Sequence, residues 1–278
     1  MRILRTYLAC YLLIVAPLAL AYEPAGTPAD WPSPIMDQAP YWMVLSDRLE
    51  SRFADEVDTY VWDLQGWYGG DYNRLWVKSE GEGEQGESPE SVELQLLFSR
   101  RFAPFWDWQL GVRHDFDPNP ERSHLVLGLQ GVVPYEFEWD SALYVSDEGD
   151  ITARIEAEYD VRITQRLVVQ PRLEINASAS DVPELSIGSG LNSTELGVRL
   201  RYEFKREFAP YLGVSWEQRY GDTADFARLE GEPTSVTSVV LGIRAWFECP
   251  FFEDSALISV RRKLNNIHGV DRRHLKEE

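Results

Sequence analysis

Ile151-Thr-Ala-Arg-Ile-Glu-Ala-Glu-Tyr-Asp-Val-Arg-Ile163 is the clearest indication of the fold class, because apolar and polar side chains alternate through the whole stretch. A β-strand sends successive side chains to opposite faces, so this pattern predicts one continuous strand with an apolar face and a charged face. The alternation restarts after Thr164-Gln-Arg166 and runs through residues 167–178. Such strands fit both a membrane barrel with a wet lumen and a soluble sandwich.

The N-terminal sequence favours a membrane barrel over a soluble sandwich. It carries a basic Met1-Arg-Ile-Leu-Arg5, an apolar core from Leu8 to Leu18, and Ala19-Leu20-Ala21 as a small-residue cleavage site. This pattern predicts a secretory signal peptide over residues 1–21, cleaved near Ala21. The proline-rich residues 22–40 are predicted to form an extended periplasmic leader. No later stretch reaches the roughly 20 apolar residues that a membrane-spanning helix needs.

The charge balance excludes one class of partner and leaves two explanations open. The formal net charge is −19. Nucleic acid is therefore excluded, because binding it requires basic patches. The acidity either keeps an exported chain soluble before it folds or attracts cations.

Twelve alternating segments follow one another between residues 41 and 247. Their lengths are close to the roughly 9–11 residues of a tilted membrane strand. Short and long connections take turns between them, as expected for short periplasmic turns and longer extracellular loops. The sequence therefore predicts an all-β fold, an antiparallel transmembrane β-barrel of about twelve strands. The segments are 43–53, 59–69, 73–80, 91–100, 105–115, 123–133, 135–146, 151–163, 166–178, 193–204, 208–220 and 235–247.

Aromatic residues gather at the short-turn ends of these segments, as in the interfacial girdle of a membrane barrel. They are Phe102, Phe105, Trp106, Tyr135, Phe137, Phe204, Phe208 and Phe247. The first strand is irregular, because Asp47 shares the parity of Met43, Leu45 and Leu49, which indicates a β-bulge or a shifted register. After Phe247 the alternation stops, and residues 248–278 are predicted to be a basic, disordered tail.

The polar faces are predicted to line the lumen with charges that pair across strands, because unpaired charges in a narrow interior are costly. The predicted lumen-lining residues are Arg154, Glu156, Glu158, Asp160, Arg162, Arg172, Glu174, Glu195, Arg199, Arg201, Glu203 and Glu217. A twelve-stranded barrel lies between filled and open barrels, so the lumen is either a narrow channel or a salt-bridged plug.

Signals of an enzyme are scarce. No Gly-x-Ser-x-Gly motif is present, and the predicted barrel holds His114 and His124, both placed near the outer rim by their apolar parity. No catalytic residue is therefore predicted. Glu80, Glu82 and Glu84 alternate with glycine in a predicted loop over residues 79–90. They are either ligands for divalent cations or part of a solvated loop.

Six stretches that cover most of the predicted barrel carry a family resemblance: Trp62–Glu82, Ser99–Arg113, Glu156–Asn176, Gly190–Phe204, Glu207–Trp216 and Gly221–Arg228. They resemble the copper resistance protein B family of bacterial outer membranes. The resemblance implies an outer-membrane barrel with a role in copper resistance and copper homeostasis, by weak copper binding or passage. It implies no required cofactor, with copper as a ligand. The expected partners are outer-membrane lipid, copper ions and periplasmic copper-handling proteins.

One departure from the family affects where copper would bind. Family members often carry a segment rich in Met and His before the barrel, and thioether and imidazole ligands suit copper. Here that segment holds Met36 and no histidine. The metal-site candidates are therefore weak ones: Met36, Met43, Glu80, Glu82 and Glu84.

Two other functions stay open, a narrow porin for small organic solutes and an outer-membrane lipase, which requires a lipid-facing Ser–His pair.

Overall fold

A computed structural model describes residues 40–55, 57–118, 120–133 and 136–250, with only the backbone of residues 249 and 250. The predicted signal peptide, the leader with Met36 and most of the predicted tail lie outside the described residues. The strands are β1 (Tyr41–Phe53), β2 (Thr59–Gly69), β3 (Asn73–Glu84), β4 (Ser91–Ala103), β5 (Trp106–Asp117), β6 (Arg122–Val133), β7 (Phe137–Ser146), β8 (Ile151–Tyr159), β9 (Val161–Arg162), β10 (Leu167–Ser178), β11 (Gly190–Tyr202), β12 (Phe208–Arg219) and β13 (Ser235–Pro250).

The strands form one closed antiparallel barrel. Each strand pairs with its neighbour along the chain, and β13 pairs with β1, for example Phe247 with Val44. The short β9 continues the path of β8, so twelve strands complete the circuit. This confirms the predicted transmembrane β-barrel, whose closure leaves no strand edge exposed to lipid.

The distribution of side chains is inverted relative to a soluble protein. Large apolar side chains are exposed on the outer face, such as Leu127, Leu212 and Leu241, whereas Arg48, Arg172 and Glu93 are buried inside. At the short-turn end of the outer face, exposed aromatic side chains form the predicted girdle. Phe102, Phe105, Phe204, Phe208 and Phe247 are each at least 43% exposed.

The stretch predicted as one strand, residues 151–163, is interrupted at Asp160. The break directly follows Tyr159, which by this register lies opposite Pro171 of β10, and proline has no backbone N–H to donate to the ladder. The register is the same on both sides of the break, with Arg172 paired to Glu158 and Val169 paired to Val161. The prediction of a continuous strand was therefore wrong locally, although the alternation of faces persists.

Strand β3 is longer than predicted and ends at Glu84, so the loop predicted over 79–90 shrinks to residues 85–90. Its glycines explain the extension. A Cβ on Gly81 would lie 2.2 Å from the Trp62 ring, and one on Gly83 would lie 2.9 Å from the Tyr60 hydroxyl. These two rings are stacked, with centroids 6.0 Å apart. The glycines thus leave space on the outer face for two aromatic side chains.

The irregularity expected in β1 is a β-bulge. The register with β2 shifts between Ser46 and Arg48. The bulge exchanges the two faces, so Leu45 is buried inside the barrel whereas Leu49 is exposed on the outside. The common parity of these residues therefore does not indicate a common face. Strand β13 also departs from prediction, because it continues past Phe247 to Pro250.

The connections alternate as predicted, with short turns at one end and longer loops at the other. One long loop contains a helix that was not predicted, α1 (Gly221–Glu230), which ends at Gly231 in a left-handed conformation. Its Thr223 hydroxyl accepts a hydrogen bond from the backbone N–H of Gly188 at 2.9 Å. The two longest loops are thereby joined over the outer end of the barrel. No helix in the described ranges is long and apolar enough to cross a membrane.

Candidate functional site

The candidate site is the lumen, where inward-facing side chains of the strands meet. Arg172 of β10 is its most highly connected cation, with a side chain that is only 2% exposed. Its guanidinium lies 2.8 Å from Glu156, 3.0 Å from Glu158 and 2.8 Å from Glu174. These residues lie on the adjacent strands β8 and β10. Their side chains meet because the alternation of both strands places them on the same, inward face. One buried guanidinium thus neutralises several carboxylates.

A second set of ion pairs crosses the lumen. Arg154 of β8 lies 2.9 Å from Glu80 of β3 and 3.2 Å from Glu93 of β4, strands that are not neighbours of β8 in the sheet. Glu80 and Glu93 are directly opposite each other in the β3–β4 ladder. Two adjacent carboxylates require a shared cation, and Arg154 supplies it from the other side of the barrel. Arg113 also holds Glu93, at 2.8 Å.

Further pairs link other strands across the interior. Lys78 of β3 donates to Asp140 of β7 at 2.6 Å. Arg52 of β1 pairs with Glu195 of β11 at 3.0 Å, and Arg199 of β11 pairs with Glu50 of β1 at 2.6 Å. Arg201 donates to Asp160, and Arg244 donates to Asp47 of the bulge at 2.7 Å. The lumen of this structure is therefore crossed by salt bridges at several levels.

The salt bridges divide the lumen into small cavities. One of about 100 Å³ lies between Arg52, Glu82 and Arg154, and one of about 80 Å³ lies below it. The second cavity is lined by seven carboxylate residues and one lysine, which are Asp47, Asp63, Glu80, Glu138, Asp140, Glu156, Glu158 and Lys78. Glu138 forms no ion pair with any described residue. The lining of this cavity is therefore strongly acidic.

Acidic side chains also surround the outer end of the lumen. We call Glu82, Glu84, Glu90, Glu217 and Glu232 the outer mouth. Partial burial, followed by the negative charges of Glu84, Glu82 and Glu232, raises the pKa of the Glu90 carboxyl above its ordinary value. A cation entering the barrel from this end would meet a negative potential.

Most of the predicted lumen charges converge in this interior. Those that meet inside the barrel are Arg154, Glu156, Glu158, Asp160, Arg172, Glu174, Glu195, Arg199 and Arg201. Glu217 lies at the outer end beside Arg219, and Glu203 follows the last residue of β11 and lies 3.8 Å from Arg201. Met43 alternates with the exposed Val44 and faces inward, apart from Glu82 and Glu84.

Arg162 does not line the lumen, which corrects the prediction. Its side chain is 49% exposed and pairs with Glu136 at 2.9 Å on the rim. The reason is length, since β7 begins at Phe137, opposite Tyr159, and β9 extends beyond it. Glu80, Glu82 and Glu84 are corrected as well, because they lie on β3 rather than in a loop. The side chain of Glu80 is 18% exposed and contacts Arg154.

Sequence reasoning missed half of the ionic network. The residues it overlooked include Arg48, Glu50, Arg52, Asp63, Lys78, Glu93, Arg113 and Asp140. Those on β1 were hidden by the bulge, which reverses the parity. For some of the others a signal existed, because Asp63 and Glu93 each lie between two apolar residues in an alternating segment. Alternation gives the face of a residue, but it does not give the partner across the lumen.

The two barrel histidines lie on opposite faces. His124 faces inward, with Nδ1 3.7 Å from Asp115, so its predicted apolar parity was wrong. His114 faces outward, and its Nδ1 lies 3.0 Å from the exposed Ser123 hydroxyl. This is a Ser–His pair on the outer face. The other ring nitrogen of His114 lies 3.7 Å from Glu121, beyond hydrogen-bond distance.

Within the described ranges, no three His, Cys, Asp or Glu side chains are grouped to hold a metal ion.

Comparisons with known proteins agree with the sequence resemblance. Residues 40–247 match the protein family described as Copper resistance protein B precursor. The chain is 45% identical over 213 residues to Copper resistance protein B of Escherichia coli, covering 77% of this chain and 72% of that protein. It is 39% identical over 203 residues to a Copper resistance protein B homolog of Pseudomonas syringae pv. tomato, covering 73% and 69%.

The backbone is also similar to those of solved outer-membrane porins. For the NanC porin the TM-score is 0.49 at 12% identity, covering 71% of this chain and 98% of that chain. For the KdgM porin the TM-score is 0.44 at 12% identity, covering 74% and 99%. The match to the family over the whole barrel, with both curated relatives, decides the assignment: the chain belongs to the copper resistance protein B family of outer-membrane β-barrels.

Proposed function

We propose that this barrel supports copper resistance by binding cupric ion weakly along its acidic lumen and by letting it pass when the salt bridges rearrange. The protein reaches the outer membrane after cleavage near Ala21. The observation that carries the proposal is the cavity of about 80 Å³ with seven carboxylate residues in its lining. Carboxylate oxygens bind Cu(II) better than Cu(I), because they are hard ligands.

Electrostatics supports entry from outside. The outer mouth adds negative charge above the lumen, and clefts of one sign raise the local concentration of ions of the opposite sign. Inside, most carboxylates are already paired with guanidinium groups, so copper would have to compete with the arginines. Glu138 forms no direct ion pair with a described residue, although Arg244 acts on it electrostatically, and Glu156 is contacted by Arg172 at 2.8 Å. Competition explains why the binding would be weak.

Passage of copper through the lumen requires a movement of side chains, whereas binding of copper does not. Glu80 lines both the upper and the lower cavity, and Arg154 holds it at 2.9 Å from across the lumen. Movement of Arg154 would release this carboxylate between the two cavities. Copper is then cargo rather than a resident cofactor, and the barrel needs no catalytic residue. Its partners would be outer-membrane lipid, copper ions and copper-handling proteins of the periplasm.

Copper tolerance of a deletion strain tests the proposal. Complementation with the full chain should restore growth on copper, whereas Glu138→Gln/Glu156→Gln should restore it poorly. The matched control is Glu87→Gln/Glu207→Gln, which removes two exposed carboxylates outside the lumen. Heat-modifiable migration on gels verifies that each variant is assembled. Full tolerance with the lumen variant would refute the role of these carboxylates, and a deletion strain without copper sensitivity would refute the copper function itself.

The Ser–His pair favours a second candidate, an outer-membrane lipase. Ser123 and His114 are exposed to the lipid side at hydrogen-bond distance, so the serine could transfer its proton to the histidine. A fluorophosphonate probe applied to the barrel in lipid vesicles distinguishes the two functions. Labelling that disappears in Ser123→Ala would support the lipase. Absence of labelling would leave the copper function as the only candidate of the two.

A further inference from the structure

A basic groove lies at the short-turn end of the barrel, away from the lumen. It runs between the turn over residues 163–166 and the turn over residues 203–207 and has a volume of about 640 Å³. The turns are adjacent, because the backbone N–H of Glu203 donates to the carbonyl of Arg166 at 2.8 Å. The volume falls within the roughly 300–1,000 Å³ that is typical of small-molecule sites.

The groove concentrates positive charge in a protein of net charge −19. Four basic residues line it, Arg162, Arg166, Lys205 and Arg206, against one acid, Glu203. Arg162 is paired with Glu136, and Glu203 lies 3.8 Å from Arg201. The side chains of Arg166, Lys205 and Arg206 are exposed and form no ion pair with any described residue. Three cations of the groove are therefore without a direct ion-pair partner among the described residues, with the exposed Glu207 as the one further acid of the second turn.

Exposed apolar side chains adjoin these cations. Ile163 is 59% exposed and Phe204 is 61% exposed, and each belongs to one of the two turns. Phe204 packs edge-to-face on Tyr202, with ring centroids 5.0 Å apart, within the aromatic girdle. Aromatic girdles mark the level of the lipid headgroups in a membrane barrel. The free cations consequently lie at the depth where lipid phosphates lie.

We propose that this groove binds the phosphate of an anionic phospholipid from the periplasmic leaflet, with Arg166, Lys205 and Arg206 as its ligands. Ile163 and Phe204 contact the upper part of the acyl chains. The basic side chains together with the adjoining apolar side chains favour an anionic lipid over a soluble acidic protein. A soluble acidic protein would use the cations but would gain nothing from apolar side chains that already face lipid. The site would attach the two turns over residues 163–166 and 203–207 to the periplasmic leaflet.

Lipid-dependent thermal stability tests this site. The refolded full chain in neutral detergent is titrated with phosphatidylglycerol or phosphatidylcholine, and heat-modifiable migration gives the unfolding midpoint. Phosphatidylglycerol should raise the midpoint of the native protein, and phosphatidylcholine should not. Lys205→Gln/Arg206→Gln should bind phosphatidylglycerol about 30-fold more weakly, since each basic side chain at an anionic surface contributes about 1 kcal/mol and 1.4 kcal/mol is tenfold.

The control is Arg219→Gln/Arg228→Gln, which removes the same charge at the opposite end of the barrel and should respond like the native protein. The proposal is overturned if the groove variant responds as strongly as the native protein, or if phosphatidylcholine stabilises equally. Inorganic phosphate and a polyglutamate peptide complete the test. Equal stabilisation by phosphate would mean that the lipid is not required. Equal stabilisation by the peptide would assign the groove to an acidic protein instead.

Discussion

At the scale of single residues, the lumen depends on arginine. A guanidinium has five N–H donors in a rigid plane, so one side chain can serve several carboxylates at once. Arg172 does so for Glu156, Glu158 and Glu174, and it lies 3.7 Å from Glu195. A lysine at this position could offer only three donors from a single nitrogen. For Arg172, the number and arrangement of the N–H donors thus matter in addition to the positive charge.

Arg172→Gln should lower the free energy of unfolding by about 3–5 kcal/mol, because it leaves several buried carboxylates without their cation. Arg162→Gln is the matched control. Its ion pair is about half exposed on the rim and should be worth about 0–1 kcal/mol. Urea unfolding in lipid vesicles, followed by tryptophan fluorescence, measures both values. Equal losses for the two variants would contradict the distinction between lumen and rim.

At the scale of elements, glycine and proline set the details of the strands. Pro171 interrupts the ladder without changing the register, so β8 and β9 remain one path. Gly81 and Gly83 leave space for the rings of Trp62 and Tyr60 on the outer face. The same alternation sends Glu80, Glu82 and Glu84 toward the lumen. One short segment of β3 therefore supplies an aromatic platform outside and carboxylates inside.

Gly81→Ala should cost about 1–3 kcal/mol of stability, because the added methyl group would overlap the Trp62 ring, 2.2 Å away. Gly70→Ala is the control, since no atom lies within 4 Å of the Cβ position there, and its effect should stay within about 0.5 kcal/mol. The same urea unfolding measures the two variants. If Gly81→Ala is as stable as Gly70→Ala, the close packing of ring on glycine is incorrect.

Leu173→Arg should impair assembly, because a charged side chain on the lipid face near the membrane centre costs roughly 2–4 kcal/mol. Leu173 is paired with Leu196, which is 46% exposed on the outer face. Its neighbour Glu174 faces the lumen, so Glu174→Gln should still assemble. The fraction of heat-modifiable barrel in isolated outer membranes reports the outcome. Similar losses for both variants would mean that the faces of β10 are assigned incorrectly.

The sequence predicts strands and faces well because alternation is a local property, as residues 167–178 of β10 illustrate. It fails where geometry is not local. The bulge at Ser46 exchanges the faces of β1, and the end of β7 leaves Arg162 on the rim. The helix α1 was missed because its loop is polar, although Ala224 and Ala227 were spaced to share one buried face. The partners of Arg154 across the lumen could not be deduced, since they depend on barrel closure.

At the scale of the whole molecule, the lumen of the barrel is crossed by ion-paired side chains. The ion pairs of Arg154 and of Lys78 connect strands that are not adjacent, so the interior supports the wall. Passage through the lumen would then depend on side-chain movement. This organisation differs from that of an open porin, whose lumen is a water-filled channel.

Arg154→Gln should raise the single-channel conductance in planar bilayers several-fold, because it removes a guanidinium that crosses the lumen to Glu80 and Glu93. The remaining Glu80 and Glu93 carboxylates should make the current cation-selective. Arg162→Gln on the rim should leave the conductance unchanged. Wild-type barrels with a large conductance and selectivity for organic solutes would instead support the porin alternative.

Calorimetry of the refolded barrel tests whether the lumen carboxylates bind Cu(II) weakly and in preference to Cu(I). We predict Cu(II) binding on the order of micromolar or weaker, with Cu(I) bound less well, since the described lumen offers carboxylates rather than clustered Met and His. Binding should weaken as the pH falls toward about 4, where carboxylates become protonated. It should be reduced in Glu138→Gln/Glu156→Gln and unchanged in Glu87→Gln/Glu207→Gln. Tight, stoichiometric Cu(I) binding that survives in the lumen variant would contradict the account.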